Sequence, residues 1–386
     1  MARDNNFDFM RLVGAALVIV GHAFVLTGEA PPGMLGMGLH SLGVKIFFVV
    51  SGYLVTESWL RDPSVLRFLL RRSLRIFPAL IACVLMTVLL LGPVVTRLPM
   101  TDYLVSPVTW DYLSNIALYV RFGLPGVFES NTFPNAVNGS LWTLPVEFVA
   151  YSLLPLVLLL MRLRGGAWLA AALALGLVIA EIGLRGFPIT EQPVIYATGV
   201  ISGLQLTTYF VIGSAYRLLR LERFLHVHWA ALLLATSMLV PVGGVTLALW
   251  QYLAIPYVTL AFAMPRVAHF ARVSRYGDFS YGLYLYAFPM QQLAVLLSGN
   301  EHTPYANMAF ALATAGMLAV FSWHYVERPA QALKPRKRAQ PPRAVPAAVA
   351  GSVVPFDEQI GGAIASTVPA GEDPGIVNAT GQGKVG

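Results

Sequence analysis

Long apolar blocks separated by short polar ones run along most of this chain; LVGAALVIV, LIACVLMTVLLLGPVV and AWLAAALALGLVIA are three of them. Apolar runs of roughly 18 residues or more are long enough to cross the hydrocarbon of a bilayer as helices. The pattern predicts ten spans, near 12–28, 40–57, 78–96, 141–161, 167–184, 199–216, 229–242, 246–264, 279–297 and 305–324. The expected fold is an all-α polytopic membrane protein. Residues 1–28 have the basic start and apolar run of a signal peptide, but they fit a first span equally well.

Composition supports this reading: 56% of the residues are hydrophobic and 12% charged, with a mean hydropathy of +0.66. A net charge of +7 would suggest a nucleic-acid partner in a soluble protein, but its distribution points elsewhere. With the N-terminus inside, 22 Lys and Arg residues fall in cytoplasmic segments, against three outside (Arg97, Arg121, Arg185) and one, Lys45, within a span. That bias is the positive-inside rule, and it places both termini in the cytoplasm. The single cysteine, Cys83, excludes an intramolecular disulfide. One membrane domain is expected over residues 1–333. From Lys334 to 386 the composition turns to Pro, Ala, Gly and Val behind a basic KPRKR cluster. It reads as a disordered tail whose start can rest on anionic lipid headgroups. No internal repeat is evident.

Against this apolar background, a few polar groups stand out. In FDFMRLVGAALVIVGHAF, residues 7–24, Arg11 and His22 are eleven residues apart, about 20° past three full turns, so they share a helix face about 16 Å apart along its axis. Asp8 can pair with Arg11. Arg11 reads as either a boundary anchor or a functional group; His22, an ionisable group inside a span, is expensive to place and marks function. Histidine is also the commonest general base. In GVKIFFVVSGYLV, residues 43–55, Lys45 either snorkels to the outer headgroups or acts in a site, with Ser51 and Tyr53 deeper. Arg71, Arg72 and Arg75 in RRSLRIFPAL are a topology signal or, alternatively, a phosphate clamp.

Glu147 in NGSLWTLPVEF is expected near the outer surface, at the depth of His22 and Lys45, and needs a partner or a watery cavity. Trp142 suits an interface belt or a sugar face. Tyr281 and Tyr284 bring hydrogen-bonding groups to the span from 279, and Glu327 is expected to pair with Arg328. The segment 97–140 is expected as an external loop.

Six stretches in this order resemble the acyltransferase-3 family of integral membrane acyltransferases: Arg11 with His22, FFVVSGYL, RRSLR at Arg72 and Arg75, SLWTLPVEF, FSYGLYLY and YVERP. The resemblance covers about residues 5–331. It implies transfer of an acyl group, commonly acetyl, from cytoplasmic acetyl-CoA or another acyl-CoA to a hydroxyl of a glycan or lipid-linked sugar in a bacterial inner membrane, with no metal. On that reading Arg11, Arg71, Arg72 and Arg75 hold the donor's phosphates and the pantetheine arm threads between helices. His22 is then the general base, Glu147 orients or charge-stabilises it, and Lys45 or Tyr53 steadies the oxyanion. Asp8, Ser51, Trp142, Tyr281 and Tyr284 fall to substrate binding. An acyl-histidine intermediate stays open. The chain departs from many members at Ala287, where they carry a histidine. The competing class is a transporter in which His22, Lys45 and Glu147 line a proton or anion pathway.

Overall fold

The computed structural model describes residues 6–164, 166, 168–185, 189–237, 243–264, 277–301 and 303–335. The expected disordered tail lies outside the described residues, apart from Lys334 and Pro335. What is described is helical, with two short hairpins. In chain order the elements are α1 (Phe7–Leu26), strands β1 (Gly33–Met34) and β2 (Met37–Gly38), α2 (Leu39–Arg61) and α3 (Val65–Met86). Then come α4 (Met100–Val105), α5 (Pro107–Asp111), α6 (Thr143–Arg164), α7 (Trp168–Leu184), strands β3 (Val194–Ile195) and β4 (Thr198–Gly199), and α8 (Val200–Leu218). Then follow α9 (Val227–Thr236), α10 (Gly244–Ala263), α11 (Ser280–Leu297) and α12 (Pro304–Ser322), with a last short helix at Arg328–Ala332.

Each of the ten segments expected to span is helical over most of its described residues. Six stretches among the described residues are long and apolar enough to cross a membrane by themselves: Phe7–Leu26, Leu39–Arg61, Val65–Val95, Thr143–Met161, Gly244–Ala263 and Pro304–Ala332. Two of them are prolonged through single π turns, Thr87–Leu91 after α3 and Trp323–Glu327 after α12. Trp168–Leu184 and Val227–Thr236 are shorter apolar helices.

The first and second helix pairs share a plan that the residue pattern does not disclose. Helices α1 and α2 are joined through hairpin β1–β2, and α7 and α8 through β3–β4, and each feature recurs 161 residues later. The hairpins have equivalent registers, Gly33 opposite Gly38 and Val194 opposite Gly199. Both turn through two residues of positive φ, Leu35–Gly36 and Tyr196–Ala197, the signature of a type I′ turn. Both are closed onto the next helix by a bond to a proline carbonyl, Leu39 N to Pro32 O at 3.0 Å and Val200 N to Pro193 O at 2.8 Å. Helices α2 and α8 then meet through reciprocal glycines. A Cβ on Gly52 would overlap the carbonyl of Phe210, and one on Gly213 that of Val49, so neither position has room for a side chain. Because 49 and 210 are themselves equivalent positions, the contact is pseudo-twofold. The chain therefore contains an internal repeat, against the expectation of none. Equivalent positions share backbone geometry and small residues rather than side-chain chemistry, which hides the repeat from a reading of residues alone.

Segment 97–140 is not a simple external loop. Tyr103 and Tyr112 are buried, and burial pushes the Tyr103 hydroxyl up to about 12. Further along, Asn131 Nδ2 donates to Gln292 Oε1 (2.8 Å) and Asn138 Nδ2 to Leu285 O (2.9 Å). Both carbonyl partners belong to the middle of α11, so the strand of chain before α6 dips between the helices. Gln292 Nε2 in turn serves Phe133 O (2.8 Å) and Ala136 O (2.7 Å), satisfying loop carbonyls that burial would otherwise strand.

Candidate active site

The dipping segment decides where α6 begins, and with it the position of Glu147. Glu147 does not share the level of His22. It sits beside the middle of α2, where Ser51 Oγ donates to its Oε1 at 3.1 Å and the Tyr151 hydroxyl bonds the same oxygen. The Tyr151 hydroxyl oxygen also lies 3.1 Å from Ser51 Oγ, which closes a three-membered network. No ion pair joins Glu147 to Lys45 among the described residues.

This network opens into a narrow cavity of about 50 Å³ that Arg11, Ser51, Arg72, Arg75, Glu147, Tyr281 and Tyr284 all line. The cavity thus gathers three of the four predicted donor arginines with Glu147 and three of the predicted substrate residues. Two carboxylates fix the guanidiniums of Arg11 and Arg75. Asp278 accepts from Arg75 at 2.6 Å and from Arg11 at 3.3 Å, and Glu327 accepts from Arg75 at 3.1 Å. Burial alone would raise the Asp278 carboxyl, but the charges of Arg75 and Arg11 hold it below the ordinary carboxylate value. Glu327, carried to this point by the π turn after α12, therefore serves Arg75 and Ser322 Oγ (3.3 Å) and not Arg328. Asp8 lies 3.8 Å from Arg11, as expected. Tyr281 and Tyr284 direct their hydroxyls to backbone, Ile76 O (2.9 Å) and Ser140 O (2.8 Å), which locks them as cavity walls.

Arg71 and Tyr53 belong to a wider basin of about 650 Å³ at the same end of the bundle, lined also by Arg61, Arg72, Arg217 and Lys334. Arg72 borders both spaces. Arg71 Nη2 bonds Asp62 (2.5 Å) and Pro335 O (2.9 Å). Hydrogen bonds from Arg67 and Arg71 hold the Asp62 carboxyl well below its usual range against the opposing effect of desolvation. Tyr53 stacks on Phe7, with ring centroids 5.4 Å apart. It stands at the opposite end of α1 from His22, not beside that histidine as an oxyanion role there requires.

His22 occupies the hairpin end of α1. Its ring stacks on His40 (5.4 Å, 22°) and meets the edge of Phe288 (5.1 Å, 81°). Phe288 follows the cavity-wall residue Tyr284 by one turn of α11, about 6 Å, so the cavity ends one helical turn short of His22. Sequence reasoning passes over His40. It starts α2 directly after β2, and Gly21 leaves it room: a Cβ there would strike the His40 backbone and ring. The His40 Nδ1 atom is buried without a hydrogen bond among the described residues. The signal that could have found it is LHSLG, a histidine at the outer edge of a predicted span with a glycine-bearing helix before it. Asp278 escapes in the same way, since it lies outside the apolar blocks.

Lys45 and Trp142 join neither space. Lys45 turns toward α8, where its Nζ sits 5.8 Å from the Tyr209 ring centre. His22, Lys45 and Glu147 therefore do not form the single pathway that a transporter reading needs. Trp142 packs partly buried against the core.

Residues 4–326 match the acyltransferase-3 family, described as an acyltransferase domain. The chain is 28% identical over 338 residues to an O-acetyl transferase of Shigella phage Sf6, which covers 85% of this chain and 96% of the phage protein. It is 29% identical over 370 residues to nodulation protein 10 of Rhizobium leguminosarum bv. viciae, covering 86% of this chain and 94% of that protein. No solved structure matches. With a match over residues 4–326, this chain belongs to the acyltransferase-3 family.

Proposed function

We propose that the protein moves an acetyl group from acetyl-CoA, or a related acyl from its acyl-CoA, to a hydroxyl of a glycan or lipid-linked sugar on the far side of a bacterial inner membrane. The observation that carries this reading is the narrow cavity lined by Arg11, Arg72 and Arg75 that stops one turn below His22. Guanidinium forks match phosphate oxygens bidentately. The basin is bordered by five cations, Arg61, Arg71, Arg72, Arg217 and Lys334, against three carboxylates, Glu57, Asp62 and Glu222, and that positive excess and its size suit the nucleotide end of the donor. The cavity beyond it is the smaller of the two, about 50 Å³. The charge bias of the sequence supports ten crossings with both termini in the cytoplasm, which makes the arginine end cytoplasmic and the hairpin end external.

In this mechanism the thioester reaches the level of Phe288, and the acceptor hydroxyl approaches from the hairpin end. His22 takes the proton of that hydroxyl as the oxygen attacks the thioester carbonyl. The carbon–oxygen bond forms, the tetrahedral adduct collapses, and the thiolate leaves with a proton returned by the imidazolium. His40, stacked on His22, orients the ring. Glu147 acts at a distance from the chemistry, holding Ser51 and Tyr151 in the wall along which the arm passes.

The test is acetyl transfer from radiolabelled acetyl-CoA to the glycan fraction of membranes that carry the protein. Wild type should label the glycan, and His22→Gln should insert and bind donor yet fail to label. Wild-type labelling by His22→Gln would remove the general-base role.

A further inference from the structure

A second buried polar cluster stands apart from the arginine cavity, where α2, α7, α8 and α10 converge beneath hairpin β1–β2. Lys45 is 5% exposed there. Its Nζ hydrogen-bonds Met37 Sδ at 3.3 Å, and a thioether is a weak acceptor. Lys45 is within electrostatic range of Glu181 and Arg185, yet among the described residues no carboxylate forms an ion pair with it. Glu181, 2% exposed, is already engaged: Arg185 Nε lies 2.9 and 3.0 Å from its two oxygens, and Gln205 Nε2 donates to it at 3.1 Å. The Arg185 Nη2 atom is buried without a well-formed hydrogen bond on a side chain that is otherwise 28% exposed, and the Tyr252 hydroxyl interacts with Glu181 and Arg185. Tyr252 stacks on Tyr209, 4.8 Å between ring centres, and so closes the cluster from the side of α10.

The unmet groups are alike in kind. Lys45 Nζ, held only by a thioether, and Arg185 Nη2 are donors only. Two cations face one carboxylate, and the one without an ion pair, Lys45, is the buried one, an arrangement that calls for a partner. A neutral sugar hydroxyl would leave that charge in place, and a cation would add to it. An acceptor-only anion answers both deficits. The position adds meaning: Met37, the neighbour of Lys45, is three residues before His40, whose ring stacks on His22. A group held at Lys45 is therefore tethered near the proposed base.

We propose that this cluster binds an anionic group of the acceptor, a carboxylate or a phosphate ester, and so selects acidic acceptors. The inference rests on the acyl-transfer reading for the word acceptor; the anion site itself does not. Two sources carry the chemistry, a uronic-acid-type sugar or the phosphate of a lipid linker, and one experiment separates them. Binding of hexyl β-glucuronide, hexyl phosphate and neutral hexyl β-glucoside to detergent-purified protein is compared for wild type, Lys45→Met and Lys45→Arg. Wild type should prefer an anionic probe over the glucoside by tenfold or more, the effect of one charge-assisted contact. Preference for the glucuronide identifies a sugar carboxylate, and preference for the phosphate a linker. Lys45→Met should lose the preference and Lys45→Arg keep it. Equal affinity of wild type for the glucoside would overturn the proposal, as would a preference that survives in Lys45→Met. If Lys45→Met does not fold, the wild-type comparison decides alone. Acetyl-CoA binding is measured on the same preparations. Its absence in wild type would count against the donor reading, whereas intact donor binding without anion preference would count against this inference alone.

Discussion

The two helix–hairpin–helix units, Phe7–Arg61 and Trp168–Leu218, have one backbone plan and very different contents. In the first, α1 and α2 carry Arg11, His22, His40, Lys45 and Ser51. The residues 161 positions on are Ala172, Gly183, Ile201, Leu206 and Ile212. What the units keep in common is the hairpin, its proline closure and the glycines at 52 and 213. What the second unit contributes instead is Glu181, Arg185 and Gln205, at positions occupied in the first by Val20, Phe24 and Val44. The lesson is a division of labour. The repeat sets how closely two helix pairs approach and where a hairpin caps them, while the ionisable groups of the two copies stand at different positions.

The comparison is broken most directly at its chemical end. His22→Gln should lower acetyl transfer by roughly 10²- to 10⁴-fold, the usual contribution of a general base, with acetyl-CoA affinity unchanged; initial rates of labelled transfer measure it. His40→Gln should cost less, about ten- to hundredfold, as expected of a group that only positions another. The loss should fall on the turnover number rather than on the donor KM. Ile201→Gln, at the equivalent site of the second unit, should leave the rate within a factor of about two. Equal losses at 40 and 201 would point to folding and not to positioning.

At the structural end, Gly52→Ala and Gly213→Ala should destabilise to a similar extent, each by about 1–3 kcal/mol, because each inserts a methyl against a backbone carbonyl. Matched losses of melting temperature would sharpen the pseudo-twofold; a large loss at one position only would contradict it. The smallest effect concerns Asp278. Its carboxyl is held below the ordinary value of 3.8, so its ion pairs with Arg75 and Arg11 are fully formed above that pH and fade as pH falls through the lowered value. The melting temperature difference between wild type and Asp278→Asn should therefore be constant from about pH 7 to about pH 5 and close only below 3.8.

Much of this arrangement is legible in the sequence alone. Unbroken apolar blocks leave helices as the only conformation that satisfies backbone polar groups in lipid, and all ten segments are helices where they are described. The Arg11–His22 spacing is a property of one straight helix, and both residues sit on α1. Ser51, Tyr281 and Tyr284 are legible for a different reason: a polar group costs too much in such a helix to be idle.

Depth, and partnership between segments, are not legible in the same way. Reading 97–140 as an external loop puts Glu147 beside His22; Asn131, Asn138 and Gln292 instead draw that segment inward, and α6 starts deeper. Glu327 pairs on paper with its sequence neighbour, whereas a π turn carries it to Arg75, 252 residues away. Lys45 and Tyr53 lie on one helix but face different neighbours, a matter of packing that no local pattern contains.

The central claim is that the arginine cavity is the donor site. The most direct test is equilibrium binding of acetyl-CoA to purified wild-type protein, Arg72→Ala and Arg11→Ala, each first shown by its melting temperature to be folded. Saturable binding that both substitutions weaken by tenfold or more is the predicted result. Undiminished binding in both variants, or no binding in folded wild type, would contradict the account.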